Sequence, residues 1–370
     1  MLSKGDPEAC VQQIDPLDRP FVLIKQHPVS LRGLLQGMRE QDASDMFLQT
    51  GSPIRFKRGG RVVTLDTQDV SRLMMATAMG CFLSEEEHRA FQAKGVADVV
   101  HVEGSDRYRV HFALGHTGPY AAVRSIGSSI TKLEKLGLNH RIVQRLMKTT
   151  SGLVLICGPT DAGKTVTCTA LLDWINREQE RAILTLEDPI EYILPRRQSL
   201  VIQREVGLHV GTFADGIRSA LRENLDVIFV GELRDNATIE QALRAGETGH
   251  LVITTLHSDD ALSAILRIVG SFTPAEQPRI RQSFAATLSA VVFQRLLPRA
   301  KGGRVPCVET LFANTAVRAI LRSGEMGKLA SYVGRPTGGL GYKDCLIELN
   351  RVGVIDQSVF QGELHRLQQG

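Results

Sequence analysis

A chain of 370 residues exceeds the usual reach of a single hydrophobic core, so one larger and one smaller domain are expected. With 43% hydrophobic and 23% charged residues its composition is that of a globular protein, which excludes a disordered, collagenous or membrane-embedded chain. The formal net charge of +4 is too small at this length to argue for nucleic acid or an acidic membrane as a direct partner.

The N-terminus, Met1 to Glu8, lacks the apolar core of a secretion signal, and no later apolar run is long enough to cross a bilayer. A cytoplasmic protein without a transmembrane segment is expected, reaching a membrane only through a protein partner. Cys10, Cys81, Cys157, Cys168, Cys307 and Cys345 are scattered without a CxxC pair or a histidine at zinc-ligand spacing, and read as reduced structural thiols.

Residues 1–28 mix Pro, Asp and Gln with short apolar pieces and read as a variable extension ahead of the first packed element. Ser30 then caps a helix whose Leu31, Leu34, Leu35 and Met38 recur at i, i+3, i+4 and i+7. Strand-like stretches at 46–48, 54–56 and 61–63 are divided by Gly51-Ser52-Pro53 and Gly59-Gly60 turns. A helical segment near 70–78 and strands at 97–102, 107–113 and 121–126 complete a small α+β domain over 29–126. Residues 127–138, opening with Gly127-Ser128-Ser129, read as a linker.

From 139 to 370 the rhythm changes to apolar strands alternating with helical patterns, the signature of a parallel sheet with crossover helices. The strands are expected at 153–157, 182–186, 227–230 and 251–255. Farther on, Ile280, Phe284, Leu288, Val291 and Val292 fall on one face of a predicted helix.

Gly158, Pro159, Thr160, Asp161, Ala162, Gly163, Lys164 and Thr165 fit GxxxxGK(S/T), directly after an apolar strand and before a helix-compatible run beginning at Val166. Glycines let such a loop turn tightly enough for backbone N–H groups and a helix N-terminus to converge on phosphate oxygens. Lys164 adds a charge near the β- and γ-phosphates, and Thr165 offers a hydroxyl to Mg²⁺. The expected ligand is ATP with Mg²⁺. Asp161 would repel a triphosphate, so its carboxylate is expected to point away from the cradle.

Two further strands end in acids, Leu184 to Glu187-Asp188-Pro189-Ile190-Glu191 and Val227 to Gly231-Glu232, where side chains of an open α/β sheet reach the ligand crevice. Glu187 is a candidate general base, and Glu232 a candidate to hold Mg²⁺ or orient water. Glu191 and Asp235 fit a helix cap or a surface ion pair as well as they fit a functional role. His257, after another apolar strand, is placed to sense a γ-phosphate or assist hydrolysis, whereas His250 suits a structural hydrogen bond. Arg218 and Arg222, four apart on a predicted helix, share a face and converge on phosphate or on an acidic neighbour. Arg109 and Arg124 lie on strands of the first domain and matter to the site only if a neighbouring subunit supplies them.

Taken together these residues resemble the PilT/PilU type of pilus retraction ATPases within the type II/IV secretion ATPase superfamily. Gly158 to Thr165 is similar to its Walker A loop, Glu187 to Glu191 to its Asp box, Gly231 to Asp235 to its Walker B region, and Thr248-Gly249-His250 through Leu256-His257 to its His box. Ala43-Ser44-Asp45 and Arg107 to Val110 resemble its N-terminal domain. Ala316 to Arg322 resembles a segment tied to retraction, with Ala319 and Ser323 where Asn and Glu are usual. Asp161 and Ala162 stand in place of the usual Gly-Ser, and Ser258-Asp259-Asp260 in place of a Thr-rich run.

The resemblance implies a PAS-like N-terminal domain and a RecA-like ATPase domain with C-terminal helices, six copies to a ring, docked on an inner-membrane platform protein. It also implies Glu187 as base, Glu232 as the Mg²⁺- or water-positioning acid, and Arg109 and Arg124 near a neighbour's nucleotide. The rival expectations are an ATPase of a type IVB secretion or conjugation system and a catalytically weak regulatory ring subunit.

Overall fold

The computed structural model describes residues 15–24, 27–104, 106–126 and 130–369, and the chain divides into two units at 128/129. In the first unit β1 (Pro20–Ile24) and β2 (His27–Ser30) pair as an antiparallel hairpin after a short 3₁₀ turn, Pro16–Asp18. Leu17, Phe21 and Val22 are buried in the same core as α1 (Leu31–Glu40). Residues 15–24 and 27–28, read as part of a variable extension, are therefore packed structure. Their apolar side chains are too few to show a period, and they gain burial from a partner helix rather than from their own pattern. Arg32 on α1 fixes this segment, its guanidinium bonding Asp18, Asp15 at 2.8 Å and Glu103 at 2.8 Å. Residues 1–14, with Cys10, lie outside the described residues.

The Ser30 hydroxyl accepts from the Gly33 N–H and starts α1, which buries Leu31, Leu34, Leu35 and Met38 as their spacing requires. There follow β3 (Ala43–Gln49), β4 (Arg55–Arg58), β5 (Arg61–Thr64), α2 (Arg72–Phe82), α3 (Glu85–Lys94), β6 (Val96–Glu103), β7 (Asp106–Gly115) and β8 (Gly118–Ile126). The six strands β3 to β8 form an antiparallel sheet in the order β5-β4-β3-β8-β7-β6. Tyr108, Val110 and Phe112 alternate inward along β7 toward the helices. Helix α3 went unread in the sequence although it carries a start signal, Ser84 and Glu87 closing a capping box.

The second unit begins before the expected boundary at 139. Leu133 is fully buried in its core, so the later part of the segment read as a linker belongs to it, while 127–129 lie outside the described residues. Its elements are α4 (His140–Met147), β9 (Gly152–Cys157), α5 (Lys164–Glu178), β10 (Ala182–Glu187), β11 (Leu200–Glu205), α6 (Phe213–Ala220), β12 (Val227–Val230), α7 (Asn236–Glu247), β13 (Leu251–Leu256) and α8 (Ala261–Gly270). They continue through α9 (Gln277–Thr287), β14 (Leu288–Pro298), β15 (Arg304–Phe312), α10 (Thr315–Ser323), α11 (Tyr342–Arg351) and α12 (Gln357–Gln369).

Seven strands make one sheet, β11-β10-β12-β13-β9-β14-β15, parallel throughout except for β15. The expected helix through 280–292 does not form as one element. Helix α9 stops at Thr287, and Leu288 to Pro298 run as a buried strand between β9 and β15. A short apolar run is compatible with either state, and the open edge of β9 decides for strand. Arg222 likewise falls beyond the end of α6, in a turn, so it does not share a helix face with Arg218.

Strand β9 is buried at every position because sheet lies on both of its sides and helices cover both faces. Leu155→Ala, at a fully buried site, is expected to cost about 2–5 kcal/mol, while Leu73→Ala, 77% exposed on α2, shifts stability by less than about 0.5 kcal/mol. Urea denaturation of the two variants beside wild type checks both.

Candidate active site

Parallel register brings the carboxyl ends of β9, β10, β12 and β13 to one edge of the sheet, with Leu186 beside Val230, Val230 beside Thr254 and Cys157 beside Leu256. Gly158, Glu187, Glu232 and His257, at or just past these strand ends, therefore emerge along one line. The loop after β9 turns immediately into α5, whose N-cap is Gly163 in the left-handed region at φ 79°. At Gly158 a Cβ would overlap the Gln294 carbonyl oxygen of β14. Only glycine permits that approach.

Lys164 opens α5 with its ammonium folded over the loop, donating to the carbonyls of Gly158 and Pro159 at 2.8 Å each. His257 Nδ1 stands 3.3 Å from the same ammonium. An ammonium can only donate, so Nδ1 accepts and the ring proton resides on Nε2, which faces Glu232 Oε1 at 3.6 Å. Burial and the Lys164 charge together hold the His257 pKa below its ordinary value, keeping the ring neutral. Burial also lowers the Lys164 pKa, against the opposing pull of Glu232.

Glu187, the last residue of β10, is only 5% exposed. Its Oε1 accepts from the Thr185 hydroxyl at 2.7 Å and from Gln203 Nε2 at 3.2 Å, and its Oε2 from the Glu191 N–H at 3.4 Å. Burial outweighs these bonds and raises its pKa to about 7. Asp161 is exposed and adopts φ 61°, a left-handed conformation that Asp tolerates better than most residues, and its charge acts on Lys164 in the sense that raises the lysine pKa.

The bland alternatives hold for Asp235, which caps α7 through the Thr238 N–H at 2.8 Å, and for His250, whose Nδ1 lies 3.1 Å from the Ala245 carbonyl. Arg218 is exposed and paired with Asp215 at 2.7 Å, and neither it nor Arg222 enters the network of Lys164, His257 and Glu232. Arg109 and Arg124 belong to the other unit, where they pair with Asp98 at 3.0 Å and Asp45 at 2.8 Å. Burial pushes the Cys157 thiol up to about 12 and the Cys168 thiol higher still, so neither is a reactive group.

Two residues of the site escape sequence reasoning. Arg234 bridges the two acidic strand ends, with Nε on Glu232 at 3.0 Å and a terminal nitrogen on Asp188 at 2.9 Å. Its position two residues after Glu232, past the end of β12, was the available signal. Gln294 is 2% exposed on β14; its Nε2 donates to the Ala162 carbonyl at 2.6 Å and its Oε1 accepts from the Thr167 hydroxyl at 2.7 Å. Nothing points to it while β14 is read as helix.

The family model described as Type II/IV secretion system protein matches residues 28–302. The chain belongs to that family. This type II/IV secretion system protein is 34% identical over 328 residues to the type IV pilus retractation ATPase PilT of Pseudomonas aeruginosa, covering 88% of the chain and 95% of that relative. A crystal structure of the pilus retraction motor PilT with bound ADP is similar at a TM-score of 0.80 and 35% identity, covering 88% of this chain and 94% of the other. The Legionella pneumophila ATPase DotB is similar at 0.77 and 26% identity, covering 90% and 95%.

Gln294→Leu orphans the Ala162 carbonyl and the Thr167 hydroxyl, at a cost of about 1–3 kcal/mol for each buried group. Denaturation with and without nucleotide measures it, and a raised KM for nucleotide is expected beside the lost stability. For Glu187, between its ordinary 4.5 and about 7 the folded chain keeps a proton that the unfolded chain has released. The residue thus makes the fold less stable as pH rises through that window, and Glu187→Gln gains in melting temperature over wild type at pH 8 but not at pH 4.

Proposed function

We propose that this chain is a Mg²⁺-dependent ATP hydrolase of the pilus retraction type, working as a homohexamer. Each copy would join a PAS-like domain (29–126, with the hairpin ahead of it) to a RecA-like domain with C-terminal helices. The observation that carries the reading is the contact chain Lys164–His257–Glu232, set on the same sheet edge as a buried Glu187 with a pKa of about 7. The likeness to a PilT crystallised with ADP supports a nucleotide as the ligand.

In this reading Gly158 to Val166 wrap the phosphates with backbone N–H groups, and the Lys164 ammonium exchanges its two loop carbonyls for phosphate oxygens. That exchange frees His257, which would report on the γ-phosphate by donating from Nε2, the nitrogen that carries its proton. Glu187 takes the proton of the attacking water, a task suited to a group that titrates near neutrality. Arg234 holds Glu232 and Asp188 at a fixed spacing beside it.

Thr165 and Glu232 offer only oxygen donors to the cation. Among the described residues no group of three or more His, Cys, Asp or Glu forms a metal cage, which suits an ion that retains waters and phosphate oxygens as ligands. When bound, Mg²⁺ supplies charge neutralisation across the transferred phosphoryl group. Arg109 and Arg124 would complete the site from a neighbouring copy, Arg218 and Arg222 remaining outside it. Among the described residues no helix is long and apolar enough to cross a membrane, so attachment to a pilus platform at the inner membrane would run through protein contacts.

Purified protein with Mg²⁺-ATP tests the chemistry. Glu187→Gln is expected to lower kcat by about 10²–10⁴-fold with nucleotide binding retained, and Lys164→Ala to abolish turnover. Wild-type kcat should fall as pH drops below about 7, a limb absent from the Glu187→Gln variant. The family description, Type II/IV secretion system protein, favours a secretion motor as the second reading. Deleting the gene and imaging pili separates the two, since lost retraction supports the first and normal retraction without another motor refutes it.

A further inference from the structure

Thr185, Glu187 and Gln203 meet because of strand register. Residues two apart on a strand face the same side of a sheet, so Thr185 and Glu187 project together from β10. Strand β11 runs parallel to β10 with Gln203 paired to Thr185, which brings the amide to that same side.

The Gln203 amide has a single orientation that satisfies its neighbours. The Leu194 N–H can only donate, so Oε1 faces it at 2.8 Å, and Nε2 is left to donate to the Tyr192 carbonyl at 2.9 Å and to Glu187 Oε1 at 3.2 Å. One side chain thus ties the segment after β10 to the carboxylate. The Thr185 hydroxyl, fully buried, donates to the same Oε1 at 2.7 Å. The other oxygen, Oε2, accepts from the Glu191 N–H at 3.4 Å, which is long for such a bond.

We propose that Gln203 and Thr185 are positioning residues that reserve Glu187 Oε1 as an acceptor, so that Oε2 is the atom that takes the proton of the attacking water. This rests on Glu187 acting as the general base. Each carboxylate oxygen has two lone-pair sites, and both of those on Oε1 are met by donors, whereas Oε2 keeps one for a proton. A proton on Oε1 would confront the Gln203 N–H, which cannot accept it. The last torsion of a glutamate side chain is soft, and without fixed donors its two oxygens would exchange places. In the step itself a water O–H bond breaks, the proton goes to Oε2, and the electron pair stays on oxygen to form the bond to the γ-phosphorus. The bond from that phosphorus to the bridging oxygen breaks, its pair leaving with the diphosphate.

Burial, the largest influence on Glu187, raises its pKa to about 7, the bonds from Thr185, Gln203 and the Glu191 N–H lower it, and the Glu191 charge raises it again. The buried Cys168 thiol faces the carboxylate from α5. Glu205, its register partner on β11, accepts from the Ile190 N–H at 3.1 Å, and Asp188 is paired with Arg234 at 2.9 Å. Both proposed donors favour the charged carboxylate, so losing either raises the pH at which the base is lost.

The test follows single-turnover hydrolysis of Mg²⁺-ATP by the full chain against pH, which separates chemistry from product release, beside ATP affinity. Gln203→Met keeps the side-chain length without the amide, Thr185→Val keeps the shape without the hydroxyl, and Thr185→Ser returns the hydroxyl. In the first two the acid limb of the rate is expected to move up by about half a pH unit or more. Their plateau rate above the limb should fall about tenfold or more because the carboxylate is free to turn, with ATP affinity changed by less than about threefold. Thr185→Ser should restore both limb and plateau.

A rate unchanged, or lowered by one factor at every pH with the limb unmoved, in both Gln203→Met and Thr185→Val would overturn the positioning role. Glu187 would stand as the base in that case if Glu187→Gln is inactive. Hydrolysis by Glu187→Gln at the wild-type rate would remove the base reading and this proposal with it.

Discussion

The phosphate loop rests on β14, and most of the site's geometry depends on that support. Loop and strand touch at two levels, the backbone of Gly158 against the Gln294 carbonyl and the Gln294 amide between Ala162 and Thr167. A tight loop has little structure of its own, because its backbone groups face outward toward a ligand rather than inward to one another. The buried amide replaces that missing support. It fixes the first turn of α5, and with it the direction in which Lys164 leaves the helix.

A second constraint is electrostatic. Charged and titratable groups gather at the strand ends, and burial works on three of them in opposite senses, raising the pKa of Glu187 while lowering those of Lys164 and His257. Burial favours the uncharged form of each, and for Glu187, raised to about 7, it places the titration near physiological pH, where proton transfer is most efficient. Arg234 sits at the exposed rim of this cluster and ties the two acidic strand ends together, so Glu232 answers to His257 on one side and to Arg234 on the other.

A cavity of about 270 Å³ beside α5 draws on the same support. Its inner wall includes Gln294 and Leu296 of β14, so the strand that carries the phosphate loop also shapes the space next to it.

Much of this was legible in the chain before folding. The glycines and lysine of 158–165, the acids at 187 and 232 and the histidine at 257 each come after an apolar run, and a parallel sheet must gather the residues past its strand ends at one edge. Local pattern determined those because strand and turn are written in adjacent residues. The tertiary structure was needed for whatever depends on distant partners. Leu288 to Pro298 became a strand because β9 and β15 flank it, Phe21 and Val22 were buried because α1 lies against them, and Gln294 met Ala162 across 132 positions of sequence. Likewise the separation of Arg218 from Arg222 and the joining of Arg234 to Asp188 turn on where a helix stops and which strand ends are neighbours, and no local spacing encodes either.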